Sequence, residues 1–234
     1  MYGRRYNNEI LSFEASGGLK EASLIMRDRE TDSWWSIISG DAIGGALEGT
    51  PLEELPVGEK TTWGVWRERH PRTLVLSVDG VEHDANNPYM RYFTSDGTFR
   101  DIESKDDRLP AKESIYSFRV GGAAYAAPHR AIEGGATFAV DGGVVFLYRP
   151  RGADLFASTQ SFFTSSKEGG PGPLFKQDAG YWIDTVTGAG FEPGNGFTRG
   201  DADEDTREGP ERLTGFDTFW YMWSNIHDNV VILQ

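Results

Sequence analysis

The sequence predicts a mainly β protein, β-rich α+β in class, made of two related halves. Each half is expected to be an antiparallel sheet or partly closed barrel with one short Trp-bearing helix. Three observations carry this reading. Short apolar or alternating stretches recur between Gly, Asp and Asn turn signals, which is the grammar of antiparallel strands and hairpins. The segment Trp63-Gly64-Val65-Trp66-Arg67-Glu68-Arg69-His70, followed by Leu74-Val75-Leu76, returns as Trp220-Tyr221-Met222-Trp223-Ser224-Asn225-Ile226-His227, followed by Val230-Val231-Ile232-Leu233. Finally, Trp34-Trp35-Ser36-Ile37-Ile38-Ser39-Gly40 is echoed by Trp182-Ile183-Asp184-Thr185-Val186-Thr187-Gly188, each a Trp with a Gly six residues later. Trp and His are rare residues, so their repeated spacing reads as an internal duplication.

Taken in order, Ile10 to Ala15 alternates, Ser16-Gly17-Gly18 reads as a turn, and Ala22 to Met26 reads as a buried strand. The charged corner Arg27-Asp28-Arg29-Glu30 leads to a further strand from Asp32 to Ile38, closed by Ser39-Gly40-Asp41. Trp63, Trp66 and His70 stand at i, i+3 and i+7, on one face of a short helix that Thr61 or Thr62 caps and Pro71 stops. That aromatic face is expected to lie on the sheet. Residues 79 to 113 are polar and broken, yet Tyr89, Tyr92, Phe93 and Phe99 mark a connector packed across the surface rather than a bare linker. Strand signals return at Ile115 to Val120, Ala124 to Ala126, Thr137 to Val140 and Val144 to Tyr148, the last two joined at Asp141-Gly142-Gly143. The second copy is lengthened by an acidic, solvated loop from Arg199 to Glu208.

The predicted organisation is a first repeat over 1–80, a connector over 81–113 and a second repeat over 114–234. The two repeats are not equal. If Tyr148-Arg149 corresponds to the region of Tyr2 to Arg5, the strand-rich stretch from Ser114 to Leu147 has no counterpart ahead of the first repeat. The first repeat is therefore expected to be incomplete at its N-terminal side.

Composition narrows the function classes. A 38% hydrophobic content with seven Trp is ample for a packed core. No apolar run approaches the ~20 residues that a membrane-spanning helix needs. With 23 basic against 36 acidic residues the net charge is −13, which argues against nucleic acid and anionic lipid as partners. The absence of Cys rules out disulfides, thiolate metal sites and Cys nucleophiles. Arg4-Arg5 and Asn7-Asn8-Glu9 follow Met1 without an apolar stretch, so no secretion signal is expected in the chain as given.

The candidate binding residues are Trp63, Trp66, His70, Trp220, Trp223 and His227. His70 and His227 read as paired ligands or bases, or as side chains that cap helix carbonyls and favour the dipole. The Trp pairs read as core, or as a platform on which a ligand stacks. Asp201, Asp203 and Asp205 alternate as in a calcium loop, but Thr206 stands where Gly is wanted and Arg212 where Glu is wanted. No metal or other cofactor is expected. His83-Asp84 is an isolated acid–base pair, and His129 after Pro128 opens a short helix. Asp107, Arg108, Lys112 and Glu113 read as a salt-bridge network tying the connector to the repeats. Phosphate-binding Gly loops, His-Glu-x-x-His helices and Gly-x-Ser-x-Gly elbows are absent from the sequence.

Four stretches resemble an uncharacterised prokaryotic family known only as a domain of unknown function. They are Arg27 to Trp34, Gly40 through Leu47-Glu48-Gly49-Thr50-Pro51-Leu52, Thr61-Thr62-Trp63 with Arg69-His70-Pro71, and Asp106-Asp107-Arg108-Leu109-Pro110-Ala111-Lys112-Glu113. The last block is the most specific, and the resemblance runs from about residue 2 to 234. It implies relatives that are longer at the N-terminus, with a Cys-Pro-x-Cys or related motif shortly before the position of Tyr2 and often an export signal, hence an extracytoplasmic setting. No redox or metal role resting on those cysteines carries over to a chain without them.

The expected function is a non-catalytic structural or protein-binding subunit, and the chain is not expected to be an enzyme. The alternative is an enzyme or metal-handling protein whose active groups lie in the N-terminal segment missing here. The expected partner is another protein chain, or a second copy, pairing with an open N-terminal sheet edge at Ile10, Leu11 and Phe13, because unpaired strand edges invite pairing and no Pro or Lys blunts this one.

Overall fold

The computed structural model describes residues 2–55, 61–75, 89–165, 175–185, 187–194, 196–198 and 210–234. It is 43% strand and 12% helix, with several antiparallel sheets and few short helices, and no sheet closes into a barrel among the described residues.

The N-terminal part opens with a small hairpin, β1 (Arg5–Tyr6) and β2 (Glu9–Ile10). Asn7 and Asn8 turn it in left-handed conformations that Asn tolerates. A four-stranded meander follows, with β3 (Phe13–Lys20), β4 (Ser23–Asp28), β5 (Trp34–Ser36) and β6 (Ala42–Gly44) paired in chain order. Here the structure departs from the sequence reading. Ser16-Gly17-Gly18 is not a turn but an irregularity inside β3, where the register shifts between Ala15 and Leu19 and Gly17 takes φ 77. The chain reverses instead at Glu21-Ala22, whose φ values of 46 and 62 match the twist of the flanking strands. Trp35 is fully buried, in a small core with Leu11, Ala42 and Leu52, and Phe13 meets its ring edge-on at 5.7 Å.

Beyond the meander come α1 (Trp63–Arg69) and α2 (Met90–Thr94). The chain then forms β7 (Ser114–Val120), β8 (Ala123–Pro128), β9 (Ala136–Val140), β10 (Gly143–Tyr148) and β11 (Gln160–Ser165). Four further strands are β12 (Phe175–Asp178), β13 (Tyr181–Asp184), β14 (Gly190–Glu192) and β15 (Gly196–Thr198). The last elements are β16 (Glu211–Arg212), β17 (Gly215–Phe219), α3 (Trp220–Ser224) and β18 (Val231–Ile232).

These elements stack in layers, because alternate side chains of a strand serve opposite faces. The sheet β17-β7-β8-β18 turns Ile115, Ala124 and Ala126 toward Trp220 and Trp223 of α3. Its other face sends Tyr116, Phe118, Tyr125 and Ala127 against Val145 and Leu147 of the sheet β16-β11-β10-β9. Phe146, between those two, points the opposite way into Phe162, Phe175, Phe191 and Phe197, which seat the sheet β12-β13-β14-β15.

The block 106–113 wraps α3. The backbone amides of Trp220 and Tyr221 donate to the carbonyls of Glu113 and Ala111, and the Trp220 indole N–H donates to Asp106 O at 2.9 Å. Arg108 pairs with Asp106 and reaches Val230 O at 2.9 Å, while Glu113 pairs with Arg130. Lys112 donates to the carbonyls of Tyr92 and Ser95 and lies over the Tyr92 ring, which anchors α2. Lys105 joins the N-terminal meander to this assembly by donating to Glu21 at 2.7 Å and to Asn225 O at 3.1 Å.

Candidate functional site

The two Trp-bearing helices share a local geometry. In α1 the Thr62 side chain caps the first turn, and the Trp66 and His70 rings meet at a tilt of 40° with centroids 4.1 Å apart. At α3 the rings of Trp223 and of His227, just beyond the helix, meet at a tilt of 53° with centroids 4.0 Å apart. The i, i+4 spacing brings indole beside imidazole in both cases.

Their surroundings are opposite. Trp220 and Tyr221 are 0% exposed and Trp223 1%, pressed on the β7–β8 hairpin. No residue of α1 is buried: Trp63 is 49% exposed and Val65 46%, and Leu74 after the helix is 94% exposed. The expectation that an aromatic face lies on a sheet thus holds at α3 and fails at α1. The physical reason lies beside the helices. β17 and β18 flank α3 in sequence and pair with β7 and β8, the latter in parallel. Thr61-Thr62 before α1 and Thr73-Leu74-Val75 after it form no strand, and the rest of both flanks lies outside the described residues.

The contacts of α1 with the described residues include two polar ones. The Trp66 indole N–H donates to Thr73 Oγ1 at 2.9 Å, and Arg69 reaches Gly194 O at 3.1 Å. Burial pushes the His227 pKa down to about 4, with nearby Arg119 acting in the same direction, so its ring is held neutral. The His227 Nε2 and the Trp223 indole N–H are buried without a hydrogen-bond partner.

A second pair of segments is also alike. The Ser36 amide donates to Asp41 O and the Gly40 amide to Ser36 O, at 2.9 Å each. Likewise the Asp184 amide donates to Ala189 O at 2.9 Å and the Gly188 amide to Asp184 O at 2.8 Å. Gly40 and Gly188 take φ 73 and 72, the left-handed conformation that this turn requires and that glycine supplies without strain. Side chains brace both turns: Ser36 and Ser39 in one, Asp184 and Thr187 in the other.

The remaining candidates separate. Leu11 is 1% exposed beside Trp35, so it lies in the core of the meander. Ile10 sits in the β1–β2 hairpin, 54% exposed, and Phe13 opens β3, which is the outer strand of its sheet. Asp201, Asp203, Asp205 and the pair His83-Asp84 lie outside the described residues. Among the described residues no group of three or more His, Asp or Glu is placed to hold a metal ion.

Two buried polar clusters escaped sequence reasoning. Asp28, 0% exposed, accepts from the Trp35 indole N–H at 2.8 Å, from the Thr31 amide and hydroxyl at 2.6 and 2.9 Å, and from the Ser33 amide at 3.2 Å. Burial alone would raise its pKa, but these donors outweigh burial and hold it below the usual carboxylate range. Asp217 Oδ1 accepts from Thr159 at 2.7 Å and lies 2.7 Å from His129 Nε2 and 3.8 Å from the buried Arg149. This cluster ties β17 to the segments around β8, β10 and β11. Its carboxylate is engaged on several sides, an arrangement that positions strands rather than activating a nucleophile. The signal at Asp28 was local, an Asp followed by Thr31 and Ser33 at turn spacing. At His129 none was available, since its partner lies far along the chain.

Comparison with known proteins returns one family. A family model described as Protein of unknown function (DUF3179) matches residues 1–230, and the chain belongs to that family. No curated protein and no solved structure matches it.

Proposed function

We propose that this member of a family without an assigned activity is a non-catalytic structural or protein-binding subunit built on an internal duplication. The reading takes 1–80 as a first repeat, 81–113 as connector and 114–234 as second repeat. Support comes from the shared tilted indole–imidazole contact at α1 and α3 and from the matching turns at Gly40 and Gly188. One observation carries the binding role: Trp63 of α1 is 49% exposed, whereas Trp220, at the same place in the spacing of α3, is fully buried. Trp63 and Val65 in α1, and Leu74 and Val75 after it, are exposed large apolar side chains of the kind that protein contacts cover. The outer strand β3 offers a second place for a partner chain or another copy to pair.

The test is photo-crosslinking from a benzophenone side chain installed at Trp63, in the native host. The reading expects one discrete adduct with a second polypeptide, and loss of that adduct with Val65→Glu. A chain that yields only uncrosslinked monomer contradicts it.

A further inference from the structure

We infer that the outer face of the N-terminal meander is a saccharide platform, on which the Trp34 indole stacks against the apolar face of a neutral pyranose ring while charged neighbours bond its hydroxyls. The site is separate from α1 and does not depend on what α1 contacts. Its origin is the alternation of β5. Successive side chains of a strand serve opposite faces, so Trp35, fully buried beside Leu11 and Leu52, sends Trp34 outward, where it is 45% exposed. Pairing then fixes what stands beside it. In register, Glu14 of β3, Arg27 of β4, Trp34 of β5 and Gly44 of β6 form one row across the sheet. Side chains opposite one another in such a row interact, their Cβ atoms lying about 5 Å apart. Gly44 ends the row without a side chain, and a Cβ added there meets nothing within 4 Å. Trp34 thus borders a bare strip of strand on one side and a charged group on the other.

The charged side is ordered. Arg27 pairs through Nε with Asp32, its Nη1 lies 4.0 Å from Glu14, and Glu14 accepts from Arg29 Nε at 2.9 Å. The four side chains stay between 39% and 67% exposed, so all of them can reach a ligand lying on the face. A carboxylate has roughly four acceptor sites and a guanidinium about five N–H donors, more than these pairs use. Mutual pairing also holds the planar groups in place, which lowers the ordering cost for a ligand that bonds them.

This composition selects the ligand. A stable protein contact covers about 800 Å² on each partner, and here it would have to desolvate four charges in order to cover one indole. A pyranose matches the site in scale. One ring face of C–H groups covers one indole, and the hydroxyl rim donates to Asp32 and Glu14 and accepts from Arg27 while the charges keep contact with water. Two carboxylates balance two guanidiniums in the array, in a chain of net charge −13, which favours a neutral sugar over a phosphorylated or sulfated one.

The experiment follows the indole N–H resonances of the isotope-labelled full chain during titration with cellohexaose, maltohexaose, chitohexaose and mannohexaose, each to about 10 mM, a concentration that reveals millimolar affinity. The Trp34 resonance is the one absent from Trp34→Phe. A saturable shift of that resonance is expected with at least one of the four oligosaccharides. Saturation transfer to the same sugar then reads the variants. Trp34→Ala should weaken binding at least roughly tenfold, the loss of a stacking contact. Trp34→Tyr should retain it, Arg27→Ala should weaken it, and Trp63→Ala should leave it unchanged. No saturable shift with any of the four sugars overturns the inference. So does binding that survives both Trp34→Ala and Arg27→Ala undiminished, or a shift spread evenly over the seven indoles. Each of these results leaves the Trp63 crosslink, and the reading of α1, untouched.

Discussion

Helices α1 and α3 have the same Trp, Trp and His spacing and a similar tilted indole–imidazole contact, yet no residue of one is buried and the other is the centre of a core. The difference teaches where burial comes from. Helical spacing and a capping Thr are enough to form the local structure, because those terms act within one turn. Exclusion of water from the indoles requires a second surface, and among the described residues α3 has one, assembled from β7, β8 and the strands at its own two ends. The departures between the two helices fit this. Tyr221, buried and bonded to Tyr92 at 2.7 Å, stands where α1 has Gly64, whose added Cβ would meet nothing within 4 Å.

The comparison breaks most readily through its aromatic anchors. Trp220→Ala should destabilise the fold by about 3 to 5 kcal/mol, the usual cost of emptying a buried indole site. Trp63→Ala should cost less than about 1 kcal/mol, as substitutions away from the core do. Denaturant melts of the two variants read this directly, and equal losses would erase the distinction between the helices.

A pH series sharpens it. Burial depresses the His227 pKa from its ordinary 6.5 to about 4. Between those values the unfolded chain binds a proton that the folded chain resists. Stability associated with the neutral ring is therefore full above about 6.5 and is lost as pH falls toward about 4. His227→Gln should flatten the dependence of the unfolding midpoint across that window, and an unaltered slope would mean that another group carries it. The smallest effect belongs to the other helix: Gly64→Ala should stabilise α1 by about 0.5 to 1 kcal/mol through reduced backbone entropy. Circular dichroism should register added helix with little change in global melting.

Much of the fold was legible because its signals are local. The hairpin at Asp141-Gly142 and the strands from Ser114 to Tyr148 follow from alternation and turn chemistry, and β7, β8, β9 and β10 lie there. The Trp spacing located both helices. Ser16-Gly17-Gly18 misled because glycine marks bulges as well as turns, and the two-residue turn that prevailed, Glu21-Ala22, contains neither Gly nor Asn. Leu11, read as an edge residue, is instead core, since the short β1–β2 hairpin folds back and carries it under Trp35. The cluster of His129, Thr159, Arg149 and Asp217 joins four separate segments, and pairing of that range leaves no trace in local sequence.

Amide hydrogen exchange on the unmodified full chain tests the central claim most directly, by comparing the amides of 64–69 with those of 221–224. The account predicts that the α3 amides exchange only with unfolding of the layered sheets, while the α1 amides open locally and exchange faster by roughly two orders of magnitude or more. Comparable protection of the two helices would show that this chain already covers α1, and would contradict the account.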